Sequence, residues 1–192
     1  YEFIVNFVMF TLLSTAAVLI MPFISLYTVG ITDANYYNWI IALLLVCITF
    51  FEIIHIPSGN IINMAGKFKV GRKIQTVASI VLIVVIIIGN MIFGFYGILL
   101  SVLVTAILLA FLEIIYIHSR YFLGAMFNFL KLLLPNLAVI VPVILLEIKL
   151  LPQLHSYIEF FVAGIVLVIL NAGILLVSNY FTNRNVMLDV VM

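Results

Sequence analysis

Six long apolar runs, separated by short polar turns, dominate the sequence. Each run is close to the ~20 residues that an α-helix needs to cross the hydrocarbon core of a bilayer. None of them alternates apolar and polar residues with the period of two that a transmembrane β-barrel requires. The spans are therefore predicted to be α-helices, because helices satisfy their backbone hydrogen bonds internally. The predicted spans are residues 3–29, 38–65, 74–93, 98–117, 130–150 and 158–181.

The scarcity of charged residues supports this membrane interpretation. Only 8% of the residues are charged and 67% are hydrophobic, whereas a soluble domain carries charge on roughly a quarter of its residues. We therefore predict an all-α polytopic membrane protein, with residues 1–192 forming a single six-helix transmembrane bundle. The net charge of +1 and the clustering of the cations argue against binding to nucleic acid.

The distribution of cations predicts the orientation of the helices. When six spans are counted, every Lys and Arg except Lys149 falls on one side of the membrane, including Arg184 after the last span. Cytoplasmic loops are enriched in these residues, so both chain ends are expected to be cytoplasmic. Asp33 lies in the first turn on the opposite side, where it is expected to cap a helix. The absence of an initiator Met suggests an internal or C-terminal piece of a longer protein.

The second predicted span carries an unusual number of polar side chains. On a helical projection Glu52, Gly59 and Asn63 share a narrow arc, with His55 to one side and Asn60 to the other. A charged Glu in the middle of a membrane costs about 2.5–3.5 kcal/mol on insertion scales. The Glu52 side chain is therefore expected to be neutral, paired with His55 or facing a hydrated cavity.

Two interpretations of this polar face remain open. In the first, Glu52, His55, Asn60 and Asn63 line a substrate pathway, and the carboxyl and imidazole groups bind a proton or another cation. In the second, the polar face forms a satisfied interhelical hydrogen-bond pair that only fixes helix packing. In either case Pro57 removes a backbone hydrogen bond and permits a kink.

A cluster of cations follows this span. Lys67, Lys69, Arg72 and Lys73 lie in the predicted loop before the third span, and Arg120 follows the fourth span on the same side. One interpretation is an anchor that contacts anionic lipids, at about 1 kcal/mol per cation. The other is a site for an anionic lipid head group, such as a diphosphate, at the cytoplasmic mouth of a pathway.

The remaining polar residues within the spans are expected to have structural roles. Asn6, Asn90 and Asn171 are the amides that we expect to join helices. Glu113 and Glu147 lie near predicted helix ends, where their carboxylates are expected to be solvated.

The motifs of several enzyme classes are missing from the sequence. It has no phosphate-binding loop of the Walker type. It also has no paired His or Cys spacing for a metal, and no Ser, His and Asp set grouped on one side. We therefore expect that the protein is not an enzyme.

Two stretches resemble a known family. Residues 22–36 (PFISLYTVGITDANY) are similar to the first span and outer turn of the C-terminal half of polysaccharide-repeat flippases. Residues 60–97 (NIINMAGKFKVGRKIQ…GNMIFGFYGILL) resemble the following loop and span, where a Gly-Lys-Phe-Lys element precedes an Asn-bearing helix and a Gly-x-x-Gly turn. These flippases belong to the multidrug/oligosaccharidyl-lipid/polysaccharide exporter superfamily. The later helices match the family only in hydrophobicity and order.

The resemblance implies a twelve-helix transporter with two six-helix lobes, of which this chain is the C-terminal lobe. By alternating access the lobes would flip undecaprenyl-diphosphate-linked oligosaccharide repeat units across the bacterial cytoplasmic (inner) membrane, for polysaccharide biosynthesis such as that of O-antigen or capsule. The implied partners are the lipid-linked oligosaccharide, membrane lipids and the missing N-terminal lobe. No cofactor is implied, and coupling to protons or sodium is left open. The positions that match the family are Asn60, Asn63, Lys67 and Lys69.

Two other functions compete with this interpretation. A multidrug-type cation antiporter of the same superfamily would use Glu52 as a coupling carboxylate, but the sequence has few buried acids. A membrane enzyme of polymer assembly would be expected to carry its chemistry on a large polar loop, but every loop here is short.

Overall fold

The computed structural model describes residues 2–31, 36–122 and 126–183, and these residues form seven α-helices and no strand. The helices are α1 Glu2–Tyr27, α2 Trp39–Ile54, α3 Ile56–Met64, α4 Phe68–Phe93, α5 Phe95–Arg120, α6 Met126–Leu150 and α7 Tyr157–Thr182. Two positions discussed above, Asp33 and Arg184, lie outside the described residues. The cap of α2 is Asn38, whose Oδ1 accepts a hydrogen bond from the backbone N–H of Ile40 at 3.0 Å.

Six helical segments are long and apolar enough to cross a membrane, and α2 and α3 together form one of them, Trp39–Met64. The number, length and apolar character of these helices confirm the prediction of a helical, multi-pass membrane protein. The largest difference in boundaries is at the third span, which begins at Phe68 instead of residue 74. Large apolar side chains, including Ile83 and Met91 of α4, are exposed on the surface, as expected of helices that contact lipid.

The second span is interrupted at His55. Helix α2 ends at Ile54, α3 begins at Ile56, and Pro57 lies in the first turn of α3. A proline is tolerated there because its missing N–H would have no partner within the helix. The interruption agrees with the predicted kink.

The chain divides into two compact units. The first consists of Tyr1–Glu2 and Leu43–Phe129, and so contains α3, α4, α5 and most of α2. The second consists of Phe3–Ala42 and Leu130–Met192, and contains most of α1 and α6 and all of α7. Each unit has long-range polar contacts of its own.

In the first unit, α4 and α5 form a hairpin with a one-residue turn. The turn residue is Gly94, whose φ of 58° lies in the left-handed region that favours glycine. Farther along, a Cβ on Gly97 would collide with the carbonyl oxygen of Gly89, so the two backbones are in direct contact. The hydroxyl of Ser101 lies 2.8 Å from the carbonyl oxygen of Val85 on the opposite helix. Small residues therefore set the distance between these helices.

In the second unit, α1, α6 and α7 share an apolar core. Val18 and Leu19 of α1 pack with Leu167 of α7, and side chains of α6 and the following loop cover them. The rings of Phe23 and Phe160 meet at the edge of this core, with centroids 5.7 Å apart.

Helix α7 begins with a side-chain cap that can be tested directly. The Ser156 hydroxyl accepts a hydrogen bond from the backbone N–H of Glu159 at 3.2 Å, and the Glu159 carboxylate accepts one from the His155 N–H at 2.8 Å. We expect Ser156→Ala to lower the free energy of unfolding by about 1 kcal/mol, measured by chemical denaturation in detergent micelles. The control is Ser119→Ala, which removes an exposed hydroxyl at the end of α5. Equal losses in the two variants would contradict a capping role.

Candidate functional site

The helix break at His55 faces α5, and a buried carboxylate lies opposite it. His55 Nδ1 and Glu113 Oε2 are 2.8 Å apart and form a hydrogen bond. The exposed fractions of the two side chains are 14% and 4%. A Cβ on Gly59 would lie 2.8 Å from the same carboxylate oxygen. Glycine at this position therefore allows the carboxylate to approach α3 closely.

This geometry corrects two expectations. The partner of His55 is Glu113, so the alternative in which His55 pairs with Glu52 is wrong. Glu113 was expected to be solvated, but its residue is only 3% exposed because it lies on the face of α5 that packs against α3. The two partners are 58 residues apart in the sequence, so no local pattern connects them.

The second ring nitrogen of His55 has different surroundings. Its Nε2 atom is buried and has no hydrogen-bond partner within the part of the chain that the structure describes. An imidazole whose Nδ1 contacts a carboxylate can use Nε2 to hydrogen-bond a ligand. This pair therefore has one hydrogen-bonding atom at the helix break that no described residue uses.

The other predicted pathway residues face outward from the first unit. Glu52 on α2 and Asn60 and Asn63 on α3 are all exposed. Exposed polar side chains within a predicted span are therefore found on this side of the first unit. These three residues are therefore exposed, whereas the pair formed by His55 and Glu113 is largely buried.

The four cations were predicted to lie in a loop, but three of them lie on a helix. Lys67 immediately precedes α4, and Lys69, Arg72 and Lys73 lie on its first two turns. The last three side chains line a shallow surface together with Thr76, since residues three and four apart share one face of a helix. All four cations are exposed. We call these four residues the basic end of α4.

Arg120 lies at the same end of the hairpin as this basic end. Helices α4 and α5 have 26 residues each and are joined by a single residue, so the end of α5 returns to the beginning of α4. Arg120 is the last residue of α5 and is exposed. Positive side chains at the beginning of a helix lie close to the positive end of its dipole, so an anion would stabilise this arrangement.

Buried amides join the helices of the second unit. Asn171 is fully buried and contacts Thr15 and Glu147, so its predicted role in packing is confirmed. Glu147 was expected to be solvated, but these contacts leave it half-buried. Of the other predicted packing amides, Asn6 is buried and Asn90 is exposed.

A pair of buried amides, Asn136 and Asn179, was not predicted. Asn179 Nδ2 donates to Asn136 Oδ1 at 2.8 Å, and both residues are almost fully buried. Asn136 directly follows Pro135, and its own amide donates to the carbonyl oxygen of Leu132 at 2.9 Å. An Asn within an apolar helix can be recognised in the sequence as a residue that needs a partner. Which partner it has depends on how the helices pack.

A cavity of about 500 Å³ lies at one end of the second unit. Its walls come from the C-terminal half of α1, from the end of α6 and residues 151–155, and from residues around the beginning of α2, and they include Tyr37, Trp39, Gln153 and His155. The volume falls in the ~300–1,000 Å³ range of small-molecule sites. Aromatic faces, an amide and an imidazole are groups that suit a polar, uncharged ligand.

Comparison of the chain with protein-family models, with curated proteins and with solved structures gives no match.

Proposed function

We propose that this protein flips a lipid-linked oligosaccharide across a membrane as part of polysaccharide biosynthesis. The observation that carries the proposal is the basic end of α4, where four exposed cations gather at the beginning of a membrane-spanning helix. A lipid carrier with a diphosphate head group needs such a site at the entrance to its pathway. No bond has to be broken in the transfer, so the proposal requires no catalytic residue.

The energetics of this end of the helix support an anionic ligand. Each Lys or Arg near a membrane surface attracts an anionic head group by about 1 kcal/mol. The backbone N–H groups of the first helical turn add a second source of positive potential. Lys69, Arg72 and Lys73 share one face with the hydroxyl of Thr76, so several donors would be able to contact the same phosphate groups.

The sugar chain would need polar groups along the rest of the route. In the proposal Glu52, Asn60 and Asn63 supply these groups from the broken second span. A second six-helix lobe would form the opposite wall of the pathway, and the lobes would open alternately to each side. The protein would lie in the bacterial inner membrane with both chain ends in the cytoplasm, which places the basic end of α4 at the cytoplasmic mouth.

The proposal is tested in cells that lack their own flippase and express the complete transporter. The readout is the accessibility of the lipid-linked oligosaccharide to an external sugar-modifying probe. We expect combined replacement of Lys67, Lys69, Arg72 and Lys73 by Gln to reduce outward appearance about tenfold or more, because it removes roughly 1 kcal/mol of attraction per cation.

Two controls separate a head-group role from general damage. A charge-preserving variant with Lys67→Arg, Lys69→Arg, Arg72→Lys and Lys73→Arg should retain most of the activity, as should Lys149→Gln. If the Gln variant flips normally, the basic end is only a topological anchor. If the unmodified protein exposes no oligosaccharide on the outer leaflet, the proposed function is wrong.

A cation antiporter is the second candidate, because the pair of His55 and Glu113 is a buried group that could exchange a proton. In that case the protein would export cationic dyes from cells in response to a proton gradient. The export would be lost in Glu113→Gln, or in Glu52→Gln if the exposed carboxylate is the coupling group. Dye export without any flipping of oligosaccharide would favour this function over the first.

A further inference from the structure

The cavity of the second unit has a floor and a mouth of different chemistry. Its floor is apolar and includes Val18 and Met21 of α1, which are almost fully buried. Its mouth is aromatic, and the rings of Tyr37 and Trp39 are both exposed there. A ligand that fills the cavity is therefore amphipathic, with an apolar part on the floor and a polar part at the mouth.

The two aromatic rings form a corner at the mouth. The ring centroids of Tyr37 and Trp39 are 6.4 Å apart, and the ring planes lie at 88° to each other. A flat aromatic ligand cannot stack on two perpendicular rings at once. A sugar ring fits such a corner better, because its C–H groups contact the negative face of an aromatic ring and its hydroxyls point outward from the ring edge.

Polar groups from α1 and from the loop before α7 complement the hydroxyls of a sugar. The Ser25 hydroxyl donates its proton to the carbonyl oxygen of Pro22 at 2.9 Å, so its own oxygen remains an acceptor. The Gln153 amide both donates and accepts, as does the neutral imidazole of His155. Sugar hydroxyls also donate and accept, so they can pair with each of these groups.

The lining of the cavity carries no fixed charge. Among the described residues that line it, none is a Lys, Arg, Asp or Glu. An ionised ligand would lose part of its hydration there without gaining a charged partner, which is costly. The lining therefore favours an uncharged ligand.

The loop wall of the cavity is held in position before any ligand binds. The Glu159 carboxylate accepts a hydrogen bond from the His155 N–H at 2.8 Å, and the Ser156 hydroxyl accepts one from the Glu159 N–H at 3.2 Å. Pro152 has a fixed φ because of its ring. A wall that is already ordered loses less conformational entropy on binding.

We propose that this cavity binds an uncharged sugar, with the sugar ring in the corner of Tyr37 and Trp39. An apolar substituent, such as the methyl of an N-acetyl or a 6-deoxy group, would lie on the floor. The site itself does not depend on the proposed function. Its role in transport does rest on that function: with both chain ends in the cytoplasm, α1 ends at the outer surface, where the cavity would hold a sugar that has crossed the membrane.

The test uses the fluorescence of Trp39, which is the single tryptophan of the sequence and lines the cavity. The full 192-residue chain in lipid nanodiscs is titrated with methyl glycosides of N-acetylglucosamine, rhamnose, glucose and glucuronic acid. We expect the first two to change the emission saturably and to protect Trp39 from quenching by acrylamide. Glucose should bind more weakly, because it buries one methyl group less. Glucuronic acid should bind at least about tenfold more weakly, because its carboxylate finds no partner.

Two variants with matched controls assign the response to the cavity. Tyr37→Leu removes one ring of the corner and should weaken sugar binding about tenfold. Its control is Tyr36→Leu, which changes an exposed ring outside the described lining. Gln153→Ala removes a hydrogen-bonding amide and should weaken binding about three- to tenfold. Its control is Gln75→Ala, at an exposed position of α4. Circular dichroism checks that each variant keeps its helices.

The alternatives give different results. Equal binding of charged and uncharged sugars would overturn the proposal, as would binding that is unchanged in both Tyr37→Leu and Gln153→Ala. If sugars have no effect and phosphatidylcholine with brominated acyl chains quenches Trp39, the cavity holds a lipid chain instead. Because binding is read without transport, a failure here leaves the flippase proposal standing, and a failure to flip oligosaccharide leaves the sugar site standing.

Discussion

Replacement of Gly97 by Ala is expected to disrupt the α4–α5 hairpin and to lower the free energy of unfolding by about 3 kcal/mol or more. The added methyl group would occupy the position of the Gly89 carbonyl oxygen. Backbone atoms cannot rotate away as a flexible side chain can, so the helices would have to separate. Separation would also break the contact between the Ser101 hydroxyl and the Val85 carbonyl oxygen, which are 2.8 Å apart.

The measurement is denaturation of the purified chain, followed by circular dichroism. The matched control is Gly173→Ala, because a Cβ on this glycine of α7 would meet nothing within 4 Å. Ala is favoured over Gly within a helix by about 1 kcal/mol, so the control should be neutral or slightly stabilising. Equal stability of the two variants would show that the two backbones are not in contact at Gly97.

Removal of the His55 side chain is expected to have the second large effect. His55→Ala leaves the carboxylate of Glu113 buried without the N–H that lies 2.8 Å away. Leaving a buried hydrogen-bonding group without its partner costs about 1–3 kcal/mol, and more when the group is charged. We expect a loss in that range in the free energy of unfolding at neutral pH.

Three further variants separate the pair from its surroundings. Glu113→Gln should cost less than His55→Ala, because the amide oxygen can still accept the hydrogen bond and no charge is buried. The double variant His55→Leu with Glu113→Leu should recover much of the loss, because it leaves no polar group unpaired. Glu52→Gln, at an exposed position of the same span, is the control and should not destabilise. If His55→Ala were as mild as Glu52→Gln, the pair would contribute little to the fold.

The positions of the membrane-spanning helices follow from local properties of the sequence. Apolar runs of sufficient length predict the spans because the bilayer fixes the number of residues required. The predicted third span was shorter than the observed helix, because the rule that excludes charged residues from a span also excluded Lys69, Arg72 and Lys73. Those residues still form a helix, because a helix can extend beyond the hydrocarbon into the head-group region.

The polar contacts within the bundle could be predicted much less well. Each depends on which helix faces are turned toward each other, and a uniformly apolar helix has no polar face that would fix its rotation. Glu52 and His55 are close in sequence, yet the partner of His55 is Glu113 on another helix. Similarly, Asn136 and Asn179 are single amides in two apolar runs, 43 residues apart. The sequence shows that such amides need partners and does not show which ones.

The order of the helices also has a consequence for biosynthesis. Most of α1 belongs to the second unit, but the helices that complete this unit, α6 and α7, are synthesised after α2 to α5. Thr15 and Asn171 are 156 residues apart, a length that a ribosome translates in roughly 8–30 s at about 5–20 residues per second. Throughout that interval, the Thr15 hydroxyl of α1 lies in the membrane without the Asn171 amide that later contacts it. Newly made chains should therefore be most exposed to membrane proteases and chaperones until the last helix has left the ribosome.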